Sequence, residues 1–134
     1  MSISLSKRSL HALDGVHPDL LRVVQLAAEK CDGDPDFIIT EGLRTVEQQK
    51  LNVAKGVSQT MHSRHLGGFA IDFVALSGGR VTYDEREMEK LAHLFIDCAA
   101  ELNIPVVWGG VWKTLHDTPH IELNKMEYPD VGVA

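Results

Sequence analysis

The run Phe69-Ala70-Ile71-Asp72-Phe73-Val74 is the stretch that most limits what this chain can become. Its β-branched and aromatic residues read as a buried strand. Gly67 and Gly68, just before it, suit a sharp turn or a close backbone approach. A carboxylate inside such a strand is costly unless a partner meets it. Two arrangements fit Asp72: it is bonded to backbone amides, or it shares a divalent metal with His65, seven residues earlier. The stretch alone leaves both open.

Around this strand the chain alternates helical and extended patterns. His17-Pro18-Asp19 opens a helix, with proline where its missing N–H costs nothing. Leu20, Val23, Val24, Ala27 and Cys31 give that helix a core face, and Asp32-Gly33-Asp34-Pro35 ends it. The acidic run Asp32, Asp34, Asp36 lacks the glycine placing of an EF-hand loop and reads as a solvated turn. Phe37–Thr40 reads as a strand with Arg44 just beyond it, either a surface arginine or a cation aimed into a cleft at the sheet edge. Thr45 with Gln48 makes a capping box for a second helix from about Val46 to Lys55.

After the central strand, Ser77-Gly78-Gly79-Arg80 forms a hairpin tip that returns through Val81-Thr82-Tyr83. Asp84 with Glu87 caps a long helix to about Asn103, its face marked by Met88, Leu91, Ala92, Phe95, Ala99 and Leu102. Pro105–Trp108 and His120–Leu123 are the last strands, and residues 1–16 are polar with Leu10 and Leu13 as anchors. The pattern predicts an α+β fold, a small antiparallel sheet with about three helices packed around it. With 134 residues the chain has length for one domain and one sizeable core.

Composition excludes more than it identifies. A net charge of −6 argues against a protein whose main work is holding nucleic acid, and it offers no basic tail for an anionic surface. No stretch approaches transmembrane length, so membrane insertion is not expected. The first ten residues carry charge with no long apolar run behind them, which predicts synthesis in the cytoplasm without a secretory signal. Cys31 and Cys98 both fall on apolar helix faces and are expected as buried thiols; a disulfide between them is possible but nothing in the chain needs it.

A second stretch, Leu115-His116-Asp117-Thr118-Pro119-His120-Ile121-Glu122-Leu123, brings chemistry to the first. His65, Asp72 and His120 make two imidazoles and one carboxylate available to a metal. Three protein ligands leave a fourth position for water, the pattern of a catalytic zinc site, and no sulfur takes part. Asp117 is then a spare carboxylate beside that water, suited to act as general base. With seven histidines in the chain, chance pairings come easily, and spacing alone does not decide.

The motifs carry a resemblance. Ser63-x-His65-x-x-Gly68-x-Ala70-x-Asp72 resembles the SxHxxGxAxD signature of the M15 peptidases, the group of zinc D-Ala-D-Ala carboxypeptidases, VanX-type dipeptidases and phage endolysins. Asp117 to Leu123 is similar to that group's second motif, Thr40 to Thr45 to its upstream arginine segment, and Trp108-Gly109-Gly110-Val111-Trp112 to the aromatic strand between them. The resemblance spans Ile38 to Leu123 with every motif in order. It implies a hedgehog/D-Ala-D-Ala-peptidase-like fold with Zn2+ bound by His65, Asp72 and His120. It further implies Asp117 as the base, Arg44 steadying the carbonyl oxygen or the substrate, and Ser63 as a supporting substrate-site residue.

Short length without a separate wall-binding module looks most like the L-alanyl-D-glutamate endopeptidase branch, the phage lysins that cut the L-Ala–D-Glu bond of bacterial peptidoglycan. D-Ala–D-Ala cleavage, as a carboxypeptidase or dipeptidase, is the nearest alternative, and a non-catalytic metal-bearing wall-binding module is a further one. A lysin of this type implies a separate, holin-like pore-forming partner to reach the periplasm and cell wall, and a monomer is the simplest expectation. Val111 stands where the group often has an acidic residue. His62 and His116 read as loop histidines near the motifs, Glu41 and Glu122 as candidates to orient ligand histidines, and Trp108 and Trp112 as core or cleft wall.

Overall fold

The computed structural model describes residues 5–56, 64–111 and 118–129. Its five strands, β1 (Asp36–Glu41), β2 (Ala70–Ser77), β3 (Arg80–Thr82), β4 (Val106–Trp108) and β5 (His120–Leu123), form one sheet. The order is β1-β2-β5-β4, with β3 paired to β2 and every pairing antiparallel. The strand expected around Asp72 is therefore the central one. β1 runs along one of its edges, while β5 and β3 share the other, β5 at residues 70–72 and β3 at residues 75–77.

The described residues hold four α-helices, α1 (Lys7–Ala12), α2 (Pro18–Lys30), α3 (Val46–Ala54) and α4 (Glu85–Glu101), one more than the sequence pattern predicts. The unexpected helix is α1. Its buried position is not apolar: Ser9 is fully buried, and its hydroxyl accepts the Ile39 N–H of the edge strand β1 at 3.0 Å. Hydrophobic periodicity cannot report a helix held in this way. Leu13 is buried as expected, but Leu10 is 56% exposed and anchors nothing.

The other helices begin where their caps predict. The His17 ring accepts the Asp19 N–H at 3.0 Å, Thr45 accepts the Gln48 N–H at 3.1 Å, and Asp84 accepts the Glu87 N–H at 3.3 Å. The buried faces of α2 and α4 pack together and onto the sheet, where Phe37 and Phe73 each place a ring 5.0 Å from that of Phe95. Burial of one such side chain contributes about 1.5–3 kcal/mol. Cys31 and Cys98 are buried free thiols, and burial pushes both above the usual thiol range.

Strand alternation then fixes where polar groups go. Phe73 points toward α4, so its neighbour Asp72 points to the opposite face of the sheet. Register sets Asp72 against His120 and Ala70 against Glu122, which brings His120 and Glu122 onto that same face. Gly68 closes the turn into β2 at a φ of +75°, where a Cβ would stand 2.6 Å from the Gly15 carbonyl oxygen. Its own carbonyl accepts the His17 N–H at 2.9 Å, so the turn and the close approach expected of this glycine are both present.

Candidate metal centre

His65 sits in a short 3₁₀ turn, Arg64–Gly67, immediately before β2. Its Nδ1 faces the Gly42 carbonyl oxygen at 2.8 Å, and its Nε2 faces Asp72 Oδ1 at 3.2 Å. The register of β1 shifts between Ile39 and Glu41, and just past this bulge Gly42 turns its carbonyl onto the imidazole. On β5, His120 presents Nδ1 to Asp72 Oδ1 at 3.3 Å and Nε2 to Glu122 Oε1 at 2.9 Å. The two imidazole rings are 5.2 Å apart, and one ligand atom from each of His65, Asp72 and His120 lies within 4.8 Å of the others. Both histidines are buried, while the Asp72 side chain is 25% exposed and opens the group to solvent.

The far side of each ring settles what the near side offers. A carbonyl oxygen and a carboxylate only accept hydrogen bonds, so the N–H belongs on His65 Nδ1 and on His120 Nε2. The lone pairs of His65 Nε2 and His120 Nδ1 then converge on a carboxylate oxygen. Three acceptors gathered in this way require a cation among them, either a proton or a metal ion, and the donor set of two imidazoles and one carboxylate fits a divalent metal.

The metal-free electrostatics say the same. Burial alone would raise Asp72, but the hydrogen bonds and charges of His120 and His65 outweigh it and hold the carboxyl well below its usual range. Burial alone would lower His120, but Asp72 and Glu122 push its imidazole up to about 9. The raised His120 stabilises the metal-free fold below its ordinary value of 6.5, and this contribution is lost as pH rises through about 9. The depressed Asp72 contributes above its ordinary 3.8, and that contribution is lost as pH falls below it. A metal must displace the His120 proton, so titrating a divalent metal at pH 7 is expected to release about one proton from this residue, and none above about pH 10. Calorimetry in buffers of different ionisation enthalpy reads the total proton release, to which any bound water adds; metal uptake with no proton release at pH 7 would contradict a charged His120 displaced by the ion.

The remaining expected site residues divide. Arg44 is attached to the centre through its backbone, its N–H donating to the His65 carbonyl at 2.9 Å. Its side chain is 11% exposed and is gripped by Glu41 Oε1 at 2.5 Å and by Gln49 Oε1 at 2.6 Å. Arg44 is thus a half-buried, oriented cation and not a surface arginine. Glu122 fixes the ring of His120, a candidate ligand, as the sequence allows. Glu41 does not, because its carboxylate is taken by Arg44, and the Gly42 carbonyl fills that role for His65. Trp108 donates its indole N–H to the Thr118 carbonyl at 2.8 Å and so pins the chain two residues before His120. Asp117, Ser63, His62, His116 and Trp112 lie outside the described residues.

Two buried groups escaped the sequence reading. Gln49 is fully buried on α3 and holds Arg44, and Arg64 is 4% exposed beside the first histidine. The signal for Arg64 was a charged residue inside the first motif, with Glu122 as a matching charge in the second.

Comparison with known proteins identifies the family. A family model described as phage L-alanyl-D-glutamate peptidase matches residues 1–132. The L-alanyl-D-glutamate peptidase of Listeria phage A118 is 40% identical over 93 residues, 69% of this chain and 32% of that protein. This chain therefore spans about a third of that relative's length. The L-alanyl-D-glutamate peptidase of Escherichia phage T5 is 32% identical over 132 residues, 96% of this chain and 94% of that protein. Among solved structures, the Serratia marcescens L-Ala D-Glu endopeptidase ChiX superposes with a TM-score of 0.86 at 42% identity, covering 96% of both chains.

Proposed function

Because this chain belongs to the phage L-alanyl-D-glutamate peptidase family, we propose that it is a zinc-dependent endolysin that hydrolyses the L-Ala–D-Glu bond of the peptidoglycan stem peptide. The observation that carries this reading is the convergence of His65 Nε2, His120 Nδ1 and Asp72 Oδ1, with the far nitrogen of each ring committed to another acceptor. His65, Asp72 and His120 would hold the zinc ion. Zinc, when bound, supplies Lewis acidity at neutral pH, polarising a carbonyl and acidifying water.

The chain's own residues do the rest. Gly42 and Glu122 hold the two imidazoles in the tautomers a metal needs. Asp117, three residues before His120, takes the proton of the attacking water and passes it to the leaving amine. Arg44, its guanidinium plane fixed by Glu41 and Gln49, meets the negative charge that grows on the scissile carbonyl oxygen or the carboxylates of the substrate. A preorganised donor of this kind is worth about 10²–10³ in rate. Ser63 supports the substrate beside His65.

The substrate sets the place of action. The protein works on the wall as a monomer, released to it by a separate holin-like pore-forming protein. Among the described residues no helix is long and apolar enough to cross a membrane.

Digestion of purified sacculi tests the bond. The expected product is a stem peptide with a new N-terminal D-glutamate. Release of free D-alanine instead would move the same chemistry to the D-Ala–D-Ala bond.

A further inference from the structure

We infer that Arg64 is a positioning residue for the metal ligands and acts through Glu122. The inference rests on the metal-centre reading above and extends it to a residue that touches neither metal nor substrate.

Three contacts with other described residues position Arg64. Its Nη2 donates to the Leu123 carbonyl at 2.8 Å, its Nε lies 3.4 Å from Glu122 Oε2, and its guanidinium stacks 4.5 Å from the centre of the Phe69 ring. The other oxygen of the same carboxylate, Glu122 Oε1, holds His120 Nε2. Arg64 is also the residue immediately before His65, in the same rigid turn. One side chain therefore links the segment that carries the first histidine to the strand that carries the second. The two histidines come from distant parts of the chain, joined by the β2–β5 pairing at residues 70–72 and by flanking backbone bonds from Phe73 to Pro119 and from Leu123 to Phe69. The Arg64–Glu122 pair adds a second tie that fixes the His120 ring as well as its strand.

Chemistry argues that this tie needs arginine. A planar, forked cation reaches Glu122 and the Leu123 carbonyl together while sitting over Phe69; the lysine ammonium is a point charge. Glu122 is as buried as His120, both 7% exposed, so its two oxygens are left to the partners the fold supplies, His120 on one and Arg64 on the other. Arg64, 3.4 Å from its other oxygen, holds it aimed at His120.

Arg64→Lys and Glu122→Gln separate this role from a merely structural ion pair. Each variant is expected to bind zinc about 10- to 100-fold more weakly than wild type, by competition with a chromophoric chelator. The rise in Tm that zinc produces should shrink in both, whereas a structural pair would lower the metal-free and zinc-loaded Tm together. The double variant should be no weaker than the weaker single one, because both act through one linkage. Zinc affinities within about twofold of wild type, or losses that multiply in the double variant, would overturn the inference and leave the proposed function intact. If the wild-type protein takes up no zinc, the metal-centre reading and this inference fall together.

Discussion

His120→Ala is expected to lose the metal and the wall-degrading activity together. The substitution removes the Nδ1 donor, reducing the group to His65 and Asp72. Two protein ligands do not make the three-ligand pattern of a catalytic zinc site. It also strips Glu122 of its imidazole partner, and it takes from Asp72 the nearby ring that is the leading cause of its depressed pKa. The metal-linked part of stability goes as well. A metal at a hundred times its Kd adds about 2.7 kcal/mol to the folded state, and the variant should gain no such increment. Metal analysis, melting with and without zinc, and turbidity clearing of sacculi should all change in the same variant. Retention of one zinc per chain would show that the ion sits elsewhere.

Asp117→Ala is expected to do the opposite with the metal and the same with turnover. The proposed role of Asp117 is base and not ligand, so zinc content should stay at the wild-type level. What is lost is the group that carries a proton from water to the leaving amine, a contribution of about 10²–10⁴ in rate. The contrast between the two variants separates holding the metal from using it. Full activity in Asp117→Ala would sink the assigned mechanism while leaving the site assignment standing. Activity lost together with zinc would make Asp117 a ligand rather than a base.

The elements legible in the sequence are those governed by periodicity and by the cost of a buried charge. α2 and α4 bury the faces their apolar spacing marked, and Asp72 meets the partners its position in a buried strand demanded. What the sequence hid follows from interactions no side-chain pattern encodes. α1 is held through the hydroxyl of Ser9 on a strand amide, so its buried position reads as polar. His65 is oriented by the Gly42 backbone carbonyl, and a glycine offers no clue that its carbonyl will serve a ring. Glu41 was a fair candidate for that work, but Arg44, three residues further on, takes its carboxylate. Arg64 reads as an ordinary motif charge until the fold brings β5 beside the 3₁₀ turn and Glu122 within reach. Asp117 and Ser63 stand on chemistry and resemblance alone.

The central claim is that zinc is held by these three side chains through these particular atoms. Anomalous scattering at the zinc edge from crystals of the zinc-loaded protein tests it most directly. The account predicts one peak per chain, bonded to His65 Nε2, His120 Nδ1 and Asp72, with Zn–N distances of about 2.0–2.1 Å. A peak on the opposite nitrogen of either ring, or no peak among these three residues, would contradict it.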